Sequence, residues 1–288
     1  MIIVTGATGR FGRGVIDHLL TRLPPEQIGA SVRDPEKARD LAEQGVRVRR
    51  GDFADPSSLA AALEGASQVL VVSGSALGEQ GVALHRAAID AAYAAGAYRV
   101  LYTSHQAAAN PQSLFAPARD HAATEEHLRA TRRPYTALRN GYYITSLLHH
   151  LGSAALTGEL GLPADGPVAW TAREDLAEAA AVMLAEERHF DGPTPPLVGA
   201  EALDLEGIAE QLSRIHKRSV TRAIVDDEAF IAQLIARGTP EPYARIFLGS
   251  YLASRAGEFN VADPTLEQLL GRRPTTVGHV LAAQNETP

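Results

Sequence analysis

The feature that most constrains this chain is TGATGRFG at positions 5–12, set between an apolar run, MIIVT, and an amphipathic segment. Gly6, Gly9 and Gly12 form G-x-x-G-x-x-G. At a strand-to-helix junction the first glycine permits a tight turn. The second lets backbone approach a pyrophosphate, and the third lets the helix pack close to the strand. The helix that follows turns free N–H groups and the positive end of its dipole toward an anion. Thr8, Arg10 and Phe11 lie in the same loop, and Arg10 adds positive charge. A glycine pattern alone is weak evidence, but at the first βα turn of a repeating βα chain it is strong. It predicts a dinucleotide cradle.

The rest of the first half supplies that repetition. Apolar runs at 1–5, 28–32, 46–50, 67–73, 98–104 and 134–139 read as strands. GRGVIDHLLTRL, PEKARDLAEQ, DPSSLAAALEG and GEQGVALHRAAIDAAYAAG read as the helices between the first five strands. Units of this length imply a parallel sheet covered on both faces. The predicted fold class is α/β: a Rossmann-type doubly wound parallel sheet with a smaller, mostly helical C-terminal lobe. The expected division is 1–140 for the dinucleotide-binding domain and 141–288 for the substrate lobe, some of whose strands return to the main sheet. Pro and Gly cluster at 158–167 and 192–199, and helical stretches are expected at 172–187, 204–217, 226–237 and 241–257.

The second strand ends in SVRDPEKA. An NAD site wants a carboxylate about 20 residues past the glycines for the ribose 2′-hydroxyl. Here Arg33 stands 21 residues after Gly12, with Lys37 one helical turn further on. Cations at that point suit a 2′-phosphate and hence NADP. Asp34 is the competing neighbour, because a one-residue shift would direct it to a 2′-hydroxyl. Two more loops are expected to line the cofactor. Asp52 and Phe53, after the third strand, would meet the adenine. Ser73, Gly74 and Ser75, after the fourth, would flank the ribose and nicotinamide.

Composition narrows the chemistry. The 288 residues carry no cysteine and a net charge of −7. Thiolate metal sites, disulfides and cysteine nucleophiles are therefore excluded, and no basic run suggests nucleic acid or an anionic membrane. No apolar run reaches the ~18 residues of a membrane span. The opening residues lack a basic leader, so a cytoplasmic location is expected. H-x-x-x-H, H-E-x-x-H and G-x-S-x-G are absent, and no metal is expected. Only Lys37 and Lys217 are lysines, so neither is available to the segment PARDHAATEEHL at 117–128.

That segment reads as a helix with Asp120 as its N-cap and with His121, Glu125 and Leu128 on one face. Glu125 would orient His121 or pair with Arg129. The preceding strand ends in YTSH, which offers Ser104 as the hydroxyl nearest a nicotinamide or acceptor oxygen, beside His105. After the sixth strand, Asn140 and Gly141 are expected to turn near the nicotinamide. Tyr142, Tyr143 and Leu147 would then sit on a helix facing the cleft, an aromatic wall suited to a flat acceptor. Phe115 and Trp170 are further candidate walls. The candidate catalytic residues are His121, Ser104 and Tyr142.

Several motifs in order, VTGATGRFG, VRDPEKA, GVRVRRGDFADPSSLAAALEG, YTS, HAATEEHL, PYTALRNGYY and PTTVGHVLA, resemble the NmrA-like atypical short-chain dehydrogenase/reductases. Within that family they look most like its bacterial quinone-reductase and triphenylmethane-reductase members. The resemblance spans nearly the whole chain and implies a Rossmann domain, NADP binding and a cleft between two lobes. Ordinary short-chain dehydrogenases carry Tyr-x-x-x-Lys in the 117–128 region. Isoflavone-reductase-like members carry a catalytic lysine where this chain has His121, 14 residues before Tyr135. A lysine-free site suits a quinone acceptor, whose reduction makes a weakly basic phenolate. The expected function is hydride transfer from NADPH to a quinone or similar flat conjugated acceptor. Two alternatives stay open: a non-catalytic NADP-sensing regulator, and a biosynthetic reductase of one aromatic metabolite. The expected partner is a small aromatic or quinone substrate, with a homodimer as the candidate assembly.

Overall fold

The computed structural model describes residues 1–152, 154–186 and 190–285. Seven parallel strands form the main sheet: β1 (Ile2–Thr5), β2 (Ile28–Val32), β3 (Arg47–Arg50), β4 (Gln68–Val71), β5 (Arg99–His105), β6 (Tyr135–Asn140) and β8 (Gly192–Pro193). Their order is β3-β2-β1-β4-β5-β6-β8. The chain reverses direction across the sheet between β1 and β4, the switch point where open α/β sheets hold ligands beyond the carboxyl ends of their strands. The first six strands lie within two residues of their predicted bounds. One short strand from the later half, β8, joins the main sheet beside β6.

Alternation explains the two faces. Ile2 and Val4 of β1 point into one core, and Ile3 between them points into another. The first core also holds Val15, Ile16 and Leu19 of helix Arg10–Leu20. The opposite core takes Leu59, Leu63, Ile89 and Leu128 from helices Pro56–Leu63, Gly78–Ala94 and Ala116–Ala130.

Two details depart from the expected division. Helix Arg173–Ala185 lies past residue 140, yet Leu176, Ala180 and Leu184 join the core of the first domain. It is alanine-rich and buried on most sides, so it packs as an inner layer of the sheet. The Pro/Gly cluster at 158–167 contains β7 (Glu159–Pro163), which pairs in parallel with β9 (Thr221–Val225) in a separate two-stranded sheet. The Arg222 guanidinium holds these strands together by donating to the carbonyls of Leu160 and Leu162 at 3.1 and 2.8 Å. The rest of the second lobe is helical and encloses a third core around Leu147, Trp170, Ile208, Phe230, Leu248 and Phe259. Among the described residues, no helix is long and apolar enough to cross a membrane, and no group of three or more His, Asp or Glu is placed to hold a metal ion.

Candidate active site

The cradle is built by backbone. Gly6 adopts φ +61°, and its carbonyl accepts from Gly9 N–H at 2.9 Å. A Cβ on Gly12 would lie 2.7 Å from that carbonyl oxygen. The helix therefore starts as close to the strand as glycine allows, and its first N–H groups have no intrahelical acceptor. Phe11 and Gly12 are buried, while Thr8 and Arg10 are exposed. The ends of β1, β4 and β5 are stitched together by hydroxyls. Thr5 Oγ1 accepts from Val72 N–H at 2.9 Å, and Thr103 Oγ1 accepts from Ser73 N–H at 2.7 Å. Gly74 and Ser75 stand exposed beyond them.

At the end of β2, Arg33 is exposed and, like Arg10, has no ion-pair partner among the described residues. Asp34 is engaged elsewhere. One oxygen caps the following turn by accepting from Glu36 N–H at 3.2 Å, and the other lies 3.9 Å from Lys37 Nζ. The competition between Arg33 and Asp34 thus resolves locally into a free guanidinium and an occupied carboxylate. Asp52 also caps its own loop, accepting from Ala54 N–H at 3.0 Å, while Phe53 packs half-buried against the sheet.

The carboxyl ends of β5 and β6 hold polar groups without partners. His105 and Asn140 face each other in register. Asn140 is 2% exposed, and neither side-chain atom has a hydrogen-bond partner; His105 Nε2 is likewise buried and unpartnered. Buried polar atoms are rarely left so. Their placement beside the cradle fits the carboxamide end of a dinucleotide, which offers both a donor and an acceptor.

Beyond them opens an aromatic cleft. Tyr142 stacks on Phe259, with ring centroids 5.2 Å apart and planes at 13°, and Trp170 lies 5.4 Å from Tyr142. Phe115 meets Tyr142 and Phe259 edge-on and lies tilted, at 51°, against His105. Further out, a cavity of about 250 Å³ is lined by Tyr142, His149, His150, Phe230 and Phe247. His150 Nδ1 lies 2.8 Å from the Tyr251 hydroxyl, and burial holds His150 down to about 4. Burial also pushes the Tyr142 phenol up, so it is a neutral hydroxyl.

Four expectations need correction. Ser104 is buried, and its hydroxyl donates to Glu125 Oε1 at 2.6 Å, away from the cleft. Glu125 in turn binds Arg139 through two bonds, at 3.1 and 2.7 Å, so it orients neither His121 nor Arg129. Arg129 pairs with Glu126 instead. The aromatic pair also divides. Tyr142 enters the cleft, whereas Tyr143 caps helix Ile144–Leu151, packs on the first core and lies under the Arg173 guanidinium at 5.0 Å. Finally, the helix carrying His121 starts at Ala116. Asp120 therefore lies inside it, and its carboxylate accepts from Gly78 N–H at 2.7 Å.

His121 is partly exposed, and its ring stacks near those of His85 and His105, each centroid 6.3 Å away. Its Nδ1 lies 2.7 Å from the buried Tyr102 hydroxyl. Burial drives His121 well below its ordinary range, and the neighbouring rings add to the effect. At neutral pH it is an uncharged imidazole. Tyr102, His85, Phe259, His150 and Tyr251 did not emerge from the sequence. Only the i, i+2 alternation that puts Tyr102 and Ser104 on one face of β5 could have pointed to the first of them.

A sheet switching direction at a glycine cradle, with an aromatic cleft at the same end, defines a dinucleotide-binding protein of the Rossmann type. The model of the NmrA-like family matches residues 1–277, and the chain belongs to that family. It is 35% identical over 291 residues to "Quinone oxidoreductase 2" of Escherichia coli (strain K12), covering 99% of this chain and 100% of that one. The crystal structure of the E. coli NADPH-dependent quinone oxidoreductase complexed with NADPH superposes with a TM-score of 0.92 at 34% identity, covering 99% of this chain and 100% of that chain. The Citrobacter sp. triphenylmethane reductase complexed with NADP(H) gives 0.90 at 36% identity, with 99% of each chain covered.

Proposed function

We propose that the protein is an NADPH-dependent oxidoreductase that passes hydride to a quinone or a similarly flat, conjugated acceptor. The observation that carries this reading is the junction of cradle and cleft. Unpartnered Asn140 and His105 stand at the strand ends, and Tyr142 stacked on Phe259 continues directly from them. The relatives named above, a quinone oxidoreductase and a triphenylmethane reductase, support the same class of acceptor.

When bound, the cofactor would supply hydride, and the protein's task is position and field. The backbone of Gly6–Gly12 would hold the pyrophosphate, and Arg33 and Arg10 the 2′-phosphate, with Lys37 beside them. Ser73, Gly74 and Asn140 would hold the ribose and carboxamide. Phe53 and Asp52 would border the adenine. Tyr142 would stack the acceptor, with the buried rings of Phe259 and Trp170 backing it and excluding water. The Nε2 of His121 would donate to an acceptor oxygen, while Ser104, bound to Glu125, would support the site without touching substrate.

The absence of a strong acid selects among acceptors. Reducing a ketone makes an alkoxide, whose basicity is near that of hydroxide, with parent pKa ≈ 15.7. Reducing a quinone makes a phenolate of pKa about 10. The gap, roughly 6 units, is ~8 kcal/mol of proton affinity. A neutral imidazole can polarise a carbonyl oxygen, which is enough help for a phenolate and too little for an alkoxide. The test is a panel of para-quinones and aliphatic ketones at matched concentration, followed by NADPH absorbance. Quinones should be reduced and simple ketones left. A simple ketone turned over as fast as the best quinone would refute the acceptor. No reduction of any acceptor would leave a dinucleotide-sensing role in its place.

A further inference from the structure

His121 and the loop after β4 are joined by an unbroken run of hydrogen bonds. Gly74 donates its N–H to His85 Nε2 at 3.1 Å. His85 Nδ1 lies 3.2 Å from the Tyr102 hydroxyl, and the same hydroxyl lies 2.7 Å from His121 Nδ1. His85 is 4% exposed and Tyr102 is fully buried, so water completes neither group.

Counting protons orients every bond. A ring nitrogen that accepts from an N–H bears no proton, and a neutral imidazole has one N–H. His85 Nε2 accepts from Gly74, so the proton of His85 sits on Nδ1 and is donated to the Tyr102 oxygen. The phenol then turns its own proton to His121 Nδ1, the acceptor at 2.7 Å; the Thr124 hydroxyl beside it donates to the Asp120 carbonyl at 2.9 Å and makes no bond of normal geometry to the phenol. His121 Nδ1 therefore accepts, and its proton sits on Nε2. That nitrogen has no hydrogen-bond partner among the described residues and is open to solvent. The charged groups nearest the phenol are engaged elsewhere: Asp120 with Gly78, and Glu125 with Ser104 and Arg139. His105, beside His121, accepts from Ala107 N–H and contributes no proton to Nδ1.

We infer that His85 and Tyr102 are positioning residues that lock His121 as the neutral Nε2–H tautomer, a fixed hydrogen-bond donor to the acceptor oxygen. The tautomer follows from this chain alone; only the identity of the acceptor rests on the function proposed above. The run also ends at His85, because its Nε2 faces a backbone donor and takes no proton from solvent. His121 therefore stabilises the oxyanion without surrendering its proton. Hydride brings two electrons and one proton to a quinone, giving the hydroquinone monoanion held by His121 Nε2–H. The second proton comes from water as the product leaves.

The experiment is ¹⁵N NMR of the full chain labelled at histidine, with and without added NADP⁺, with the rings assigned through His121→Gln and His85→Gln. Nε2 of His121 should be protonated and Nδ1 bare, with the reverse in His85, throughout the neutral range. Tyr102→Phe removes one oxygen from a buried ring. It should release His121 into a mixture of tautomers and lower quinone turnover about tenfold with little change in KM. His121→Gln keeps an N–H donor and should retain most turnover. His121→Ala should lose at least about tenfold, the low end for an oxyanion donor in a site that needs little help. A wild-type His121 protonated on Nδ1, or on both nitrogens, overturns the inference even if quinones are reduced. The expected tautomers with no quinone reduction would leave the lock standing and remove the proposed reaction.

Discussion

Replacing Arg33 by alanine should separate the two nicotinamide cofactors. Arg33 follows β2 with an exposed guanidinium and no ion-pair partner among the described residues, so its removal breaks no ion pair. A charge-assisted hydrogen bond contributes about 1.5–3 kcal/mol. Exposure to solvent argues for the lower end, and about 1.4 kcal/mol is tenfold in affinity. Arg33→Ala should therefore weaken NADPH roughly tenfold and leave NADH nearly unchanged. The residual preference should come from Arg10 and Lys37, the latter already shared with Asp34 at 3.9 Å. Because the contact is an exposed charge pair, the NADPH affinity of the wild type should fall with added salt, and the variant should show a shallower slope. Fluorescence titration of both cofactors at low and high ionic strength reads all of this. Equal loss of NADPH and NADH would mean that Arg33 serves the common part of the cofactor or the fold, and the assignment to the 2′-phosphate would be wrong.

Two further outcomes follow from the geometry. Gly12→Ala puts a Cβ 2.7 Å from the Gly6 carbonyl oxygen and 3.1 Å from Ala7 Cα, both backbone, so helix and strand must separate. Overpacking of this kind costs about 1–3 kcal/mol. Tm should drop by several degrees and dinucleotide binding should be lost, whereas an unchanged thermal melt would contradict the close approach. Acid should destabilise the protein through its buried histidines. His85, His105 and His150 are held down to about 4 by burial, against an ordinary value of about 6.5 in the unfolded chain. Between those values the unfolded chain binds protons that the folded one refuses, so the stabilisation is complete above about 6.5 and is lost as pH falls toward about 4. The urea midpoint should decline across that window, and a midpoint flat across it would show that these rings stay accessible to protons.

The sheet was legible because parallel strands buried on both faces must be apolar at successive positions. IIVT, IGASV and QVLV satisfy that with no knowledge of their neighbours. The cradle was legible for a related reason: a glycine demanded by a positive φ or by a 2.7 Å approach leaves its mark at the position itself. β7 was obscured because its run, ELGLP, is short and sits among prolines and glycines, while its partner β9 lies 62 residues on. The same limit governs the site. Period two puts Tyr102 and Ser104 on one face of β5, but what covers that face depends on how helix Ala116–Ala130 lies across it. One helical turn decides the roles: His121 meets Tyr102, and Glu125 meets Ser104. A hydroxyl that looks free at a strand end is thereby spent on a buried carboxylate, and a tyrosine that looks like core becomes the group that sets a histidine's proton. Partners of this kind are recorded by no local pattern, because each bond costs its residue nothing in strand or helix propensity. Only the register between the two elements distinguishes the histidine that can act from the serine that cannot.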